Sequence, residues 1–442
     1  MNKNKPLSHP THDVTQEKDI VPALPTLAST EQVGRDKVSV ANANANKMPP
    51  YETVALVLQG GGALGAYQAG VYQGLHEAGI QLSCLSGISI GALNVAIIAG
   101  NPPETQIERL TEFWETICQP NYGYPLHPAL EQSLFKVNDK MREALSFWHA
   151  SHALLVGQKG FYAPRFPPPF FSTQHDDPSR ASYYDATALK ATLERLCDFD
   201  RINSGEYEVS VGAVNVRTGN FVYFDNSQTT LRAEHFMASS ALPPSFAPVE
   251  IDGESYWDGG LVSNTPLQHV LEIRPLRDTL VFQVDLWSAR GPVPGNMSDV
   301  EDRMKEIRYS SRTRMVTDQL RWTQYLRHVL LHMLEDIPAE LRTKDPYVRM
   351  AEDLACNKRY NVVHLIYRNK PYEQHYKDYQ FGLASMQEHW ASGLEDMRNT
   401  LSDPTRLAMP ENASGFITHD IHGEEIKQML EAINTRGAGG AS

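Results

Sequence analysis

Gly87-Ile88-Ser89-Ile90-Gly91 sets one serine between two glycines, after an apolar run at 82–85 and before a second one at 92–98. This G-x-S-x-G spacing is that of a sharp strand-to-helix corner. Glycine on either side lets the backbone turn tightly, and the turn lifts the hydroxyl clear of the sheet edge. The helix that follows points its positive end at the corner, which favours a developing oxyanion. A nucleophilic Ser89 makes the chain an acyl hydrolase or acyltransferase. The bare pattern also recurs by chance in long sequences, so its neighbours decide what it means.

A second glycine cluster lies upstream. Gly60-Gly61-Gly62-Ala63-Leu64-Gly65 follows a β-rich run at 53–58 and precedes a helical pattern at 66–78, where Gly79 supplies a stop. It matches G-x-G-x-x-G literally, so a dinucleotide-binding unit is one reading. That unit needs an acidic residue about 20 positions on, at the end of the second strand. Here the place holds Ser83-Cys84-Leu85-Ser86-Gly87, and the nearby carboxylate Glu77 sits within the first helix pattern. In the acyl-transfer reading the amides of Gly60, Gly61 and Gly62 converge on the oxygen of a tetrahedral intermediate, because no Cβ blocks the approach. Glycines that merely pack a helix closely on a strand are the plain alternative.

A nucleophilic serine needs a proton acceptor within hydrogen-bond reach. Thirteen histidines follow Ser89, from His127 to His422, and none sits in a recognisable loop signature. A conspicuous carboxylate lies in Tyr256-Trp257-Asp258-Gly259-Gly260-Leu261, where Gly259 and Gly260 make a tight, accessible turn. A turn aspartate that caps its own backbone fits the same residues.

In this order, Gly60–Gly65, the Ser89 corner and Asp258-Gly259-Gly260 resemble the patatin-like phospholipase family. The stretch 238–246, Asp252-Gly253 and Asn264-Thr265-Pro266 are similar to that family around its aspartate. The resemblance covers about residues 53–290. It implies a two-residue Ser89–Asp258 dyad, with Gly60, Gly61 and Gly62 as the oxyanion loop and Gly65, Gly87, Gly91, Gly259 and Gly260 supporting the motifs. One departure is Leu64, where the family loop often carries Arg or Lys. Residues 360–390 are similar to the C-terminal extension of a bacterial subgroup.

The elements that must position these residues follow from pattern. Strand, helix, strand, helix from 53 to 98 implies parallel pairing with right-handed crossovers, hence an α/β sheet. Further strands are expected at 207–215, 221–224 and 279–286. The resemblance implies a three-layer α/β/α domain with a mainly parallel sheet at 51–292. It includes an aromatic- and proline-rich insertion at 120–182, in which 160–171 lines or covers an acyl pocket or is a packed surface loop. A mostly helical region is expected at 293–430, with a disordered tail at 1–50 and a frayed end at 431–442. Met304, Ile307, Met315, Leu320, Leu326, Val329, Leu330, Met333 and Leu334 form an interrupted apolar stripe there. That stripe either packs on the catalytic domain or offers a lipid or partner surface, with Arg308, Arg312, Arg314, Arg321 and Arg327 fitting the second case.

Composition bounds the function. A formal charge of −13 argues against general nucleic-acid binding, and four scattered cysteines form no C-x-x-C pair. No H-E-x-x-H or carboxylate cluster with ligand spacing occurs, so neither a metal nor a cofactor is expected. No apolar core follows Lys3 and Lys5, and no run reaches the ~18 apolar residues of a membrane span. The expectation is a cytoplasmic enzyme with a hydrophobic ester or lipid as substrate, peripheral membrane contact left open, and oligomeric state unreadable. The ester itself, phospholipid, acylglycerol or hydroxyacid, is not separated by these motifs.

Overall fold

The computed structural model describes residues 51–122, 126–169, 177–310, 313–338, 341–342 and 345–421. The expected tails at 1–50 and 431–442, Phe170 and Phe171 of the insertion, and Arg312 lie outside the described residues.

β1 (Thr53–Leu58) is buried at all six positions, as a central strand of a parallel sheet must be. A short 3-10 turn at Gly62–Gly65 leads into α1 (Ala66–Glu77), which ends just before Gly79 at φ +71°. β2 (Cys84–Gly87) runs into α2 (Ile90–Ala99), followed by α3 (Gln106–Ile117). The insertion folds as α4 (Pro128–Phe135), α5 (Asp139–Val156) and a two-residue hairpin of β3 (Ala163–Pro164) and β4 (Tyr184–Asp185). The proline-rich stretch thus begins only after the helix has stopped.

α6 (Thr187–Leu196) and the single turn α7 (Phe199–Ile202) lead to β5 (Glu208–Asn215), β6 (Phe221–Asp225), α8 (Ala233–Ser240), β7 (Val249–Ile251) and β8 (Glu254–Asp258). Then come α9 (Leu267–Glu272), β9 (Thr279–Asp285), α10 (Met297–Tyr309), α11 (Thr313–Glu335), α12 (Pro346–Leu354), β10 (Tyr360–Ile366), α13 (Leu383–Leu401) and β11 (Phe416–Asp420). The strand order is β11-β10-β9-β1-β2-β5-β8-β7, with β6 also on β5. Pairing is parallel from β11 to β5 and antiparallel among β5, β6, β7 and β8.

Alternation along the strands makes two cores. Leu56, Leu58, Phe282, Val284 and Leu365 face α1, α2 and α3, while Ala55, Val57, Val281 and Val362 face α9 and Leu320 of α11. The result is a mixed α/β fold with a mainly parallel sheet between helical layers.

Residues beyond 293 are more than a helical appendage, because β10 and β11 extend the sheet from β9. α13 also packs along α1 so closely that a Cβ on Gly70 or Gly393 would overlap the facing backbone. The expected apolar stripe divides. Leu320 and Leu334 are buried, but Met304, Ile307, Leu326 and Met333 are exposed. α10 turns its polar side inward because Asp302, Lys305 and Glu306 find ionic or hydrogen-bonding partners at 369–378. No helix among the described residues is long and apolar enough to cross a membrane.

Candidate active site

Three adjacent parallel strands, β9, β1 and β2, end on the same side of the sheet. The glycine loop follows β1, the Ser89 corner follows β2, and Leu286 and Trp287 follow β9. In open α/β sheets this crevice beyond the carboxyl ends is where ligands bind.

Ser89 stands between β2 and α2 with φ 56° and ψ −126°, a region that non-glycine residues rarely occupy. Such backbone strain costs about 1–3 kcal/mol and persists only where the surroundings over-determine it. Here the Ser89 N–H donates to both the carbonyl and the hydroxyl of Ser239, each at 3.1 Å, and Ser239 Oγ donates to Gly212 O at 2.7 Å. The flanking glycines close the corner, since a Cβ on Gly87 would lie 2.5 Å from the carbonyl of Gly91. A Cβ on Gly91 would overlap the Leu58 carbonyl.

Asp258 ends β8 and is 1% exposed. Its N–H donates to Ala241 O at 3.0 Å, and its Oδ1 accepts from Gly260 N at 2.7 Å. The turn-cap reading is therefore correct for one carboxylate oxygen. The Ser89 hydroxyl is near enough to pull the titration of this carboxylate down, so two residues far apart in sequence meet at the crevice. Burial pushes the Asp258 carboxyl up to about 7, against the opposing pull of the Ser89 and Gly260 hydrogen bonds. No histidine is hydrogen-bonded to Ser89 among the described residues. His364, His389 and His149 pair instead with Asp285, Glu373 and Glu131.

The glycine loop runs past this pair. A Cβ on Gly60 would lie 2.9 Å from that of Ser89. Gly60 N faces the Asn264 carbonyl at 3.4 Å, and Gly60 O accepts from Asn264 Nδ2 at 3.0 Å and Trp287 Nε1 at 2.9 Å. Gly61 caps the 3-10 turn and Gly62 begins it at φ +57°, two of the positions whose N–H groups a helix start leaves without an internal partner. Gly65 packs on Ile90 and Trp114, Gly259 on Gly212, and Gly260 on Asn264. Leu64, the departure in the loop, is fully buried.

Sequence reasoning gave no role to four residues that hold this arrangement. Gln59 Oε1 accepts from the N–H groups of Leu286 and Trp287, tying β1 to the turn after β9. Trp287 and Asn264 grip Gly60, and Ser239 anchors the Ser89 corner. The available signal was polarity out of place: Gln59 interrupts an apolar strand just before the glycines, where a buried amide must find partners. Among the described residues, no group of three or more His, Cys, Asp or Glu gathers as a metal site.

An open pocket of about 150 Å³ lies beside α8, lined by Phe161, Leu189, Met237, Ala241 and Phe246, with Arg165 and Asp185 among its polar lining. Phe161 and Arg165 are the described parts of 160–171 that reach it, while Phe166 is exposed.

A family model described as patatin-like phospholipase matches residues 56–271, and one described as patatin phospholipase matches 307–413. Lysophospholipase NTE1 of Phaeosphaeria nodorum is 23% identical over 251 residues, 56% of this chain and 13% of that protein. Patatin-like phospholipase domain-containing protein ZK370.4 of Caenorhabditis elegans is 30% identical over 100 residues, 21% of this chain and 7% of that one. The chain thus spans about an eighth or less of these relatives. Among solved structures, VipD from Legionella pneumophila is 16% identical with a TM-score of 0.29, covering 88% of this chain and 77% of that one. Human GIVD cytosolic phospholipase A2 is 12% identical with a TM-score of 0.31, covering 80% and 60%. The first model begins within β1 and takes in the glycine loop, Ser89 and Asp258, and the second takes in β10 and α13; on these two matches the chain belongs to the patatin-like phospholipase family.

Proposed function

We propose that this protein is a serine acyl-ester hydrolase acting on lipids or similarly hydrophobic esters, with Ser89 as nucleophile and Asp258 as its base. The observation that carries the proposal is a buried Asp258 carboxylate beside the Ser89 hydroxyl, which pulls against the rise that burial imposes on its titration. A carboxyl titrating near 7 is matched to proton transfer at neutral pH, where one at its ordinary 3.8 is a weak base.

Ser89 Oγ attacks the ester carbonyl while its proton passes to Asp258. The carbonyl oxygen takes up negative charge and receives the N–H groups of Gly61 and Gly62. Gly60, whose N–H faces Asn264 O, serves as the spacer that lets the loop pass Ser89. Collapse of the tetrahedral species breaks the ester C–O bond, and Asp258 returns the proton to the leaving alkoxide. Water then attacks the acyl–Ser89 ester as Asp258 takes its proton; collapse breaks the Ser89 Oγ–acyl bond, releases the carboxylic acid and returns that proton from Asp258 to Ser89 Oγ. Residues 51–292 act as the catalytic domain, with the 293–430 region completing its sheet.

A fluorophosphonate probe should label the protein at one residue, Ser89, identified by peptide mapping. Labelling elsewhere, or none on folded protein, removes the proposal. A panel of phospholipid, acylglycerol and hydroxyacid esters then separates the substrate classes.

The pocket beside α8 suits the acyl chain. Ser240 and Ala241 line it, one and two residues beyond Ser239 on the Ser89 amide, and the Ala241 carbonyl holds the Asp258 N–H. Met237→Trp should fill the space and raise KM for long-chain esters about tenfold, with short-chain esters unchanged, since a few lost methylene contacts are worth about 1–3 kcal/mol. An unaltered chain-length profile would place the acyl chain elsewhere.

A further inference from the structure

The glycine loop is held from outside by the C-terminal region. Gly62 lies directly beneath the backbone carbonyl of Asp378, so closely that a Cβ there would overlap the oxygen. The Asp378 carboxylate accepts from Lys305 Nζ at 2.6 Å, and the same ammonium donates to the His375 carbonyl at 2.7 Å and lies 4.8 Å from the ring centre of Tyr379. Lys305 therefore gathers three points of the 375–379 segment. It sits on α10, one turn before Tyr309, whose carbonyl accepts from the Asn264 amide that also grips Gly60. Next to it Lys377, 2% exposed, bridges Asp302 at 2.8 Å and Glu306 at 3.3 Å and lies 5.4 Å from the ring centre of Trp287. Trp287 in turn donates to Gly60 O.

This clasp presses on the very glycines proposed as oxyanion donors. A hydrogen-bond donor stabilises the transition state only when aimed at the position the oxyanion will occupy. A peptide plane in the left-handed region, as at Gly62, has little of its own to hold that aim. We infer that Lys305 and Asp378 are positioning residues for the reaction: their ion pair fixes the Asp378 carbonyl on Gly62 and thereby the direction of the Gly61 and Gly62 amides. The inference rests on the oxyanion role proposed above for that loop.

Lys305→Met and Asp378→Asn are compared with wild type and with Ser89→Ala for kcat, KM, thermal midpoint and inhibition by a trifluoromethyl ketone, whose hemiketal adduct with serine carries an oxyanion. Each pair variant should lower kcat about 10- to 100-fold and weaken the ketone similarly, at unchanged KM, an aim error costing less than the loss of a donor. Lys305→Arg should restore most of the loss, and the double variant should be no worse than either single one. Wild-type kcat and ketone inhibition in folded Lys305→Met overturn the inference, as does a loss of kcat and KM together that Lys305→Arg does not rescue. Asp378→Asn, nearly isosteric, decides the matter if Lys305→Met does not fold. An active Ser89→Ala would instead overturn the parent reading, so the two failures are distinguishable.

Discussion

Ser89→Ala is expected to lower kcat for ester hydrolysis by about 10⁴- to 10⁶-fold, the range seen when a serine nucleophile is removed from an assembled site. Its cause is plain chemistry: alanine has no hydroxyl with which to attack the ester carbonyl. The variant should remain folded, because the Ser89 backbone, held by Ser239 at 3.1 Å, carries the corner rather than the side chain. Asp258→Asn should cost nearly as much. An amide can still accept from the serine and from Gly260, so the geometry survives, but it cannot take the proton. The double variant should be no slower than the slower single variant, since the two side chains act as one unit. Steady-state kinetics on one soluble ester, with circular dichroism as the check on folding, measure all three. Activity within tenfold of wild type in either single variant would end the dyad assignment.

Activity should also fall with acid. The base must be ionised before attack, and burial has pushed the Asp258 carboxyl up to about 7. Below that point kcat/KM should drop tenfold per pH unit, to roughly a hundredth of its plateau at pH 5. A profile flat down to pH 5 would mean that another group accepts the proton.

The same burial has an opposite signature in stability. Between the ordinary aspartate value of 3.8 and about 7 the folded protein holds a proton on Asp258 that the unfolded chain has released. Stability therefore falls as pH rises through this window, because the native state binds more protons than the unfolded one. The full effect is at most about 4 kcal/mol, from 1.36 kcal/mol per pH unit of separation. Asp258→Asn carries no such charge. Relative to wild type it should gain stability from pH 4 to pH 8 in urea unfolding, while losing the reaction. Parallel stability profiles for the two proteins would show that ionised Asp258 is not the costly group.

The site thus stores two local costs, an ionisable carboxylate out of water and a serine at positive φ, at the place where both would serve chemistry. Neither is visible in residue type alone. Asp258 reads as a turn aspartate, and its Oδ1 does cap Gly260 as such a residue would. Only the arrival of Ser89 at the carboxylate would set a reactive aspartate apart from a capping one.

The sequence by itself determined the local pieces. Period-two and continuous apolar runs marked β1, β5, β6 and β9 to within a residue, glycines marked the sharp corners, and the three ordered motifs named the residues that could react. These features depend on neighbours a few positions away, where side-chain periodicity and backbone freedom act directly. Tertiary structure decided what meets what. Sheet order brought the ends of β9, β1 and β2 together, and the antiparallel return of β8 along β5 carried Asp258 to Ser89. It also put β10 and β11 into the sheet where a helical region was expected, and turned the apolar side of α10 outward because its charged side found partners near Asp378. Strand order and ion pairing between segments 70 or more residues apart are set by the summed packing of the whole chain, and no short window of residues carries that information.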